Sequence, residues 1–265
     1  MTSNYVHGYD RRANVRLQDQ ADALVDLLHS DTRYPEGSVV LEAGCGVGAQ
    51  TITLVRNSPH AHFVSIDISA ESLAAAQRKV PSANVRFQQA DVYQLPFAHE
   101  SFDHVFVCFL LEHLPRPLEA LASLKHVLKP GGSITVIEGD HGSTYFHPDN
   151  PAAYDAIRCQ VELQRASGGN ANIGRELYPL LRQAGFADVG VSPRMVYVDA
   201  SRPRLVDGFT RKTFTAMIEG VRQAALGAGM ISAARFDEGI RALYRTAEDD
   251  GVFCYTFFKA SGRKS

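Results

Sequence analysis

Apolar positions along this chain follow two rhythms. Leu17, Ala21, Leu24, Val25, Leu27 and Leu28 recur at three- and four-residue steps, which predicts an amphipathic helix over Asn14–His29. From Val39 onward, short apolar runs rich in β-branched residues take over: Val39-Val40-Leu41, then Ala61–Asp67, Asn84–Asp91, Phe102–Phe109 and Ser133–Glu138. Runs of this length, bounded by turn residues, suit strands buried on both faces of a parallel sheet. Between them Gln50–Val55, Ser69–Lys79 and Leu118–Leu128 carry helical spacing, the last ending at the breaker Lys129-Pro130-Gly131-Gly132. Strands alternating with helices in this way predict a doubly wound α/β sheet.

The first strand ends at an acid, Glu42, and Gly44, Gly46 and Gly48 follow at alternate positions. Strand, glycine turn and helix make the first half of a nucleotide-binding βαβ unit. The spacing alone allows two readings. Gly44, Gly46 and Ala49 fit the dinucleotide pattern G-x-G-x-x-A, and Glu42 with the three glycines fits E-x-G-x-G-x-G. Asp67, which ends the second strand, is placed to accept both hydroxyls of a ribose; its competing role is a helix cap, which Ser69 can fill.

Composition narrows the class. The chain has 265 residues, 45% of them hydrophobic, which suits one core fold with insertions. No apolar run approaches the roughly 18 residues of a membrane span, and Met1–Arg12 lacks the apolar core of a signal peptide, so a cytoplasmic protein away from the membrane is expected. The net charge of −2 argues against nucleic acid, although residues 200–245 carry eight Arg/Lys against four Asp/Glu. Cys45, Cys108, Cys159 and Cys254 are too scattered for a structural zinc, an iron–sulfur cluster or a disulfide framework, and no metal is expected.

Taken in order, LEAGCGVGAQT, SIDIS, QADVYQLPF, FDHVFVCFLLEHLPRP and LKPGGSITVIEGDHG resemble the class I S-adenosylmethionine-dependent methyltransferases, in their ubiquinone/menaquinone-biosynthesis-like group. The resemblance covers about residues 37–142 and selects the second glycine reading. It implies a Rossmann-like sheet of seven strands with β7 antiparallel, S-adenosyl-L-methionine as cofactor and S-adenosyl-L-homocysteine as product. It also implies roles. Glu42 organises the loop, although the family more often has Asp there. Gly44, Cys45, Gly46 and Gly48 admit the methionine and ribose to the backbone. Asp67 takes the ribose hydroxyls and Ile68 packs on the adenine. Asp91 accepts from the adenine amino group, the Val92 amide meets a ring nitrogen, and Cys108 and Phe109 flank the methionine end.

The remaining core should be a helix over Gly174–Ala184, strand six over Val189–Val198 and strand seven over Val252–Phe258. Helical insertions remain at about 142–172, with Asn150-Pro151 as a helix start, and at about 200–250, where Leu205–Leu226 and Phe236–Ala247 are periodic. With an N-terminal helical segment, residues 1–36, they are expected to form a lid on the domain of residues 37–265. Asp140 and His141, leaving strand five, are candidates for a catalytic base; Tyr9, Arg16, Tyr145, His147 and Met217 are candidates for the acceptor pocket. The expected function is methyl transfer to the O, N, C or S atom of a small molecule. The alternatives are an RNA or protein methyltransferase and a non-catalytic S-adenosylmethionine-binding protein. The acceptor and the oligomeric state are not legible in these residues.

Overall fold

The computed structural model describes residues 23–265. Tyr9, Arg16 and the first part of the expected N-terminal helix lie outside them; residues 23–29 are helical (α1). The strands are β1 Val39–Ala43, β2 His62–Asp67, β3 Val85–Gln89, β4 Phe102–Cys108, β5 Leu128–His147, β6 Ala187–Val198 and β7 Val252–Arg263. They form one sheet in the order β3-β2-β1-β4-β5-β7-β6. β1 lies parallel to β2 and β4, β3 to β2 and β5 to β4, while β7 is antiparallel. This is the doubly wound seven-stranded sheet that the sequence predicts.

The helices are α2 Thr51–Asn57, α3 Ala70–Lys79, α4 Pro117–Val127, α5 Pro151–Ala166, α6 Leu177–Gln183, α7 Pro203–Leu205, α8 Ala216–Gly220, α9 Arg222–Gly227 and α10 Ala233–Arg245, with a π-helix over Val206–Thr215. Ser69 caps α3 by accepting the Ser72 amide, and Asn150 caps α5 by accepting the Ala152 amide, so the two short polar residues flagged as helix starts serve as such.

The chain divides into two compact units. The first comprises Leu28–Gly139, Ile173–Pro193 and Phe258–Ser265; the second comprises Asp140–Asn172 and Arg194–Phe257, with residues 23–27. In the first, Leu121 and Leu124 of α4 and Leu177 and Leu181 of α6 share one apolar core with Val105 and Ile134 of the sheet. Each fully buried side chain of this kind contributes about 1.5–3 kcal/mol. In the second, α5 and α10 pack so closely at Gly239 that a Cβ there would fall 2.3 Å from the Ala152 carbonyl oxygen, and Arg235 joins Asp155 across the pair at 2.9 Å.

Strand five corrects the expectation. It does not end at Gly139-Asp140-His141 but runs on to His147, and it begins at Leu128. Lys129–Gly132 is no separate turn before the strand. It is an irregularity inside it, where the register against β4 jumps from Phe102–Leu128 to His104–Ser133 and Gly131 takes φ +76°. Backbone pairing supplies the reason: the Gly131 amide donates to Lys264 O, and the Lys264 amide donates to Gly132 O. β7 likewise runs five residues past the expected Phe258.

Candidate functional site

The first unit collects acids and glycines where β1, β2, β3 and β4 reach their carboxyl ends, the place where open α/β sheets bind ligands. Gly44, Gly46 and Gly48 have φ of +77°, +52° and +77°, a backbone path that side chains with a Cβ resist. The Gly44 and Cys45 amides both donate to Ile66 O at 2.9 Å, which pins the loop to β2.

Asp67 completes the attachment. Its Oδ2 accepts the Gly46 amide and its Oδ1 accepts the Ser69 amide, each at 2.9 Å. Burial pushes its carboxyl above the usual range, against the pull of these donors. A carboxylate oxygen has lone pairs beyond one amide contact, so both oxygens keep acceptor capacity.

Glu42 works beneath the loop. It is buried, and its Oε2 accepts the hydroxyls of Thr51 at 2.8 Å and Ser65 at 2.6 Å, tying β1 to the first turn of α2 and to β2. Burial raises its carboxyl to about 7, opposed by the two hydroxyl bonds.

Ile68, immediately after Asp67, is 56% exposed, an apolar surface beside a strand-end acid. Asp91 follows β3 and accepts the Tyr93 amide through Oδ1 at 2.9 Å, with Val92 buried next to it. Cys108 is the last residue of β4, and Phe109 turns the chain with φ +55°. Burial, reinforced by Glu138, Glu42 and Glu112, drives the Cys108 thiol far up; burial with Glu42 and Asp67 does the same to Cys45. A nucleoside would need open backbone beside an acceptor and an apolar face, and these lie together here. Among the described residues a Cβ built on Gly46 meets nothing within 4 Å, so the loop backbone is uncovered by them there, with Asp67 and Ile68 at its side.

The structure thus brings together Glu42, Gly44, Cys45, Gly46, Gly48, Asp67 and Ile68 around one loop, with Asp91, Val92, Cys108 and Phe109 at the neighbouring strand ends. Residues 41–136 match the family described as Methyltransferase domain. These residues form a methyltransferase domain of the class I, S-adenosylmethionine-dependent kind.

Among the relatives of this methyltransferase, the demethylmenaquinone methyltransferase of Staphylococcus aureus is 33% identical over 132 residues, 49% of this chain and 55% of that protein. The chain spans about half the length of the curated relatives it matches. Among solved structures, a methyltransferase of Bacillus halodurans superposes with a TM-score of 0.56 at 19% identity, covering 92% of this chain and 98% of that one. Phosphoethanolamine N-methyltransferase 2 of Haemonchus contortus, solved with phosphomonomethylethanolamine and S-adenosylhomocysteine, superposes with a TM-score of 0.57 at 17% identity, covering 93% of this chain and 53% of that one. At these identities the superpositions show the shared fold.

In the second unit of the methyltransferase, Asp140 and His141 lie within β5 rather than leaving it. Asp140 is buried and its Oδ1 accepts the Gly142 amide at 3.0 Å. His141 Nδ1 is 3.0 Å from Ala171 O and 3.2 Å from Tyr255 Oη, with the Phe214 ring 5.9 Å away. A carbonyl only accepts, so Nδ1 carries the proton and Nε2 presents its lone pair. Among the described residues that buried Nε2 has no hydrogen-bond partner, and burial lowers the ring to about 4. Tyr145 and His147 lie exposed on β5, where Tyr145 Oη is 3.3 Å from Met195 Sδ; Met217 is half-buried on α8. The structure shows no contact joining these three among the described residues.

Two residues of the first unit escape the sequence reading. Glu138 is fully buried, and its Oε1 accepts the amides of Leu110 and Leu111 at 3.0 and 2.7 Å. Leu110 packs against Gly44. The signal for Glu138 was present: strands one, two and five each end an apolar run in an acid. Among the described residues no group of three or more His, Cys, Asp or Glu is arranged to hold a metal, and no helix is long and apolar enough to cross a membrane.

Proposed function

We propose that this chain transfers a methyl group from S-adenosylmethionine to a small-molecule acceptor by in-line displacement. The observation that carries the reading is the Gly46–Asp67 pair, an open glycine backbone held by the acid that would take the ribose hydroxyls. Ile68 would pack on the adenine, Asp91 and the Val92 amide would meet its polar edge, and Cys108 and Phe109 would flank the methionine end. The bound cofactor supplies a methyl carbon made electrophilic by its sulfonium.

The chain's own task is then to align the nucleophile, exclude water and receive a proton. His141 is proposed for the last role, with Asp140 fixing the local backbone through Gly142. A ring lowered to about 4 is neutral at physiological pH and too weak to ionise a hydroxyl or amine beforehand. It is basic enough once methyl transfer has begun, because a methylated oxonium or ammonium centre sheds its proton far more readily. Tyr145, His147 and Met217 remain proposed acceptor contacts.

A small-molecule acceptor is favoured over nucleic acid by the pairing of the basic segment. Lys212, Arg222, Arg235 and Arg245 lie within 2.6–2.9 Å of Asp207, Asp237, Asp155 and Asp250. Charges paired in this way add little to a footprint for phosphates. The demethylmenaquinone methyltransferase and phosphoethanolamine N-methyltransferase named above point to the same acceptor class. Incubation of the protein with methyl-labelled cofactor and a metabolite extract tests the reading. Labelled small molecules are expected. Cofactor binding without any product would favour the binding-protein alternative, and label found only in RNA or protein would replace the acceptor class.

A further inference from the structure

Four facts converge behind the glycine loop. Glu138, at 0% exposure, is as buried as any residue in the chain, yet it is an acid at the sheet's carboxyl end. Its Oε1 accepts two consecutive amides, Leu110 and Leu111, from the turn that follows β4. That turn is strained into place, with Phe109 at φ +55°. Leu110 in turn sits against the loop, its Cδ1, Cβ and Cδ2 lying 3.0–3.2 Å from where a Cβ of Gly44 would be. A continuous set of contacts therefore runs from Glu138 within β5, through the β4 turn, to the first glycine.

We propose that Glu138 is a positioning residue for the cofactor, holding the Phe109–Leu111 turn against Gly44 so that the two segments facing the methionine end keep a fixed spacing. The inference rests on the methyltransferase reading above. It goes beyond it by assigning cofactor affinity to a side chain that touches no ligand. Two amides on one oxygen call for a carbonyl or carboxyl acceptor, and the other oxygen, Oε2, has no hydrogen-bond partner among the described residues. Burial and the nearby Glu112 push the carboxyl well above the usual range, opposed by the backbone amides it accepts. The neutral amide of glutamine offers the same acceptor.

Calorimetric titration of the full chain with S-adenosylhomocysteine, comparing wild type with Glu138→Gln, Glu138→Leu and Leu110→Ala, separates positioning from mere folding. Loss of fold lowers the number of competent sites and leaves the Kd of the remainder unchanged; loss of positioning raises the Kd at constant stoichiometry. Glu138→Gln should bind within about threefold of wild type and Glu138→Leu about tenfold or more weaker at unchanged stoichiometry. Should Glu138→Leu fail to fold, Leu110→Ala keeps the amides, removes the Cδ1 and Cδ2 contacts with Gly44 and should raise the Kd by several-fold. A wild-type Kd in Glu138→Leu or, where that variant does not fold, in Leu110→Ala would overturn the proposal. So would a loss confined to stoichiometry. Absence of binding by the wild type would overturn the cofactor reading itself, and this proposal with it.

Discussion

The Gly46 amide and the Asp67 carboxylate are joined at 2.9 Å, so the middle of the glycine loop and the end of β2 behave as one piece. Replacing Asp67 by alanine strands the Gly46 and Ser69 amides and removes the group proposed to take the ribose. Hydrogen bonds to a charged acceptor contribute about 1.5–3 kcal/mol, so cofactor affinity should fall about tenfold or more. Calorimetry measures this directly. Wild-type affinity in Asp67→Ala, with only the melting temperature lowered, would confine Asp67 to holding the loop.

The three glycines of the loop are not equivalent. An alanine Cβ at position 46 enters open space, whereas at position 48 it comes 3.1 Å from the Ala76 Cβ and 3.3 Å from its Cα. Gly46→Ala should keep its stability to within about 1–2 kcal/mol, the left-handed φ being its main cost, and lose most cofactor binding. Gly48→Ala should lose more stability, because backbone must shift as well. Thermal melts with and without S-adenosylhomocysteine distinguish the two; equal stability losses would contradict the difference in surroundings.

Glu42 makes the methyltransferase sensitive to alkaline pH. Its carboxyl is raised from 4.5 to about 7 in the folded chain, so the folded state holds that proton more tightly than the unfolded state. The benefit is complete below pH 4.5 and is lost as pH rises through 7. Glu42→Gln cannot ionise and can still accept the Thr51 and Ser65 hydroxyls. Relative to wild type it should gain on the order of 2–4 kcal/mol between pH 4.5 and pH 8. A stability difference that stays flat over that range would show that Glu42 does not titrate there.

His141 predicts the opposite limb. Its ring is lowered from 6.5 to about 4, so stability is fully present above 6.5 and is lost as pH falls through 4. His141→Gln should become more stable relative to wild type as pH drops, by on the order of 3 kcal/mol. His29 is lowered to the same range, and comparison of the two proteins cancels its contribution. Cofactor affinity in His141→Gln should stay within about twofold of wild type, while turnover falls. A variant with wild-type turnover would leave the reaction without this proton acceptor.

The parts of the fold that sequence makes legible are those with a local signature. β1, β2 and β4 are apolar runs closed by acids or turns, and the glycine loop advertises its left-handed φ values. Strand five was misread because Gly139-Asp140-His141 has the composition of a turn, while the pairing that keeps it extended is tertiary. The π-helix falls inside Leu205–Leu226, which the sequence marks only as helically periodic. Its widened turn, seen where Thr213 Oγ1 donates to Gly208 O five residues back at 2.6 Å, leaves no separate mark on the periodicity. Glu138 went unread for a third reason: the amides it holds are 27 and 28 residues away in sequence.

The two thiols beside the proposed cofactor site have a chemical consequence. A sulfonium methyl is an alkylating agent, and a thiolate is the strongest nucleophile that a protein ordinarily places near one. Cys45 lies in the glycine loop and Cys108 at the end of β4, so an ionised sulfur at either place would invite the protein to methylate itself. Burial and the surrounding carboxyls of Glu42, Asp67, Glu112 and Glu138 hold both sulfurs protonated. If the cofactor binds as proposed, the acids that shape the loop would also guard the protein against alkylation by its own methyl donor.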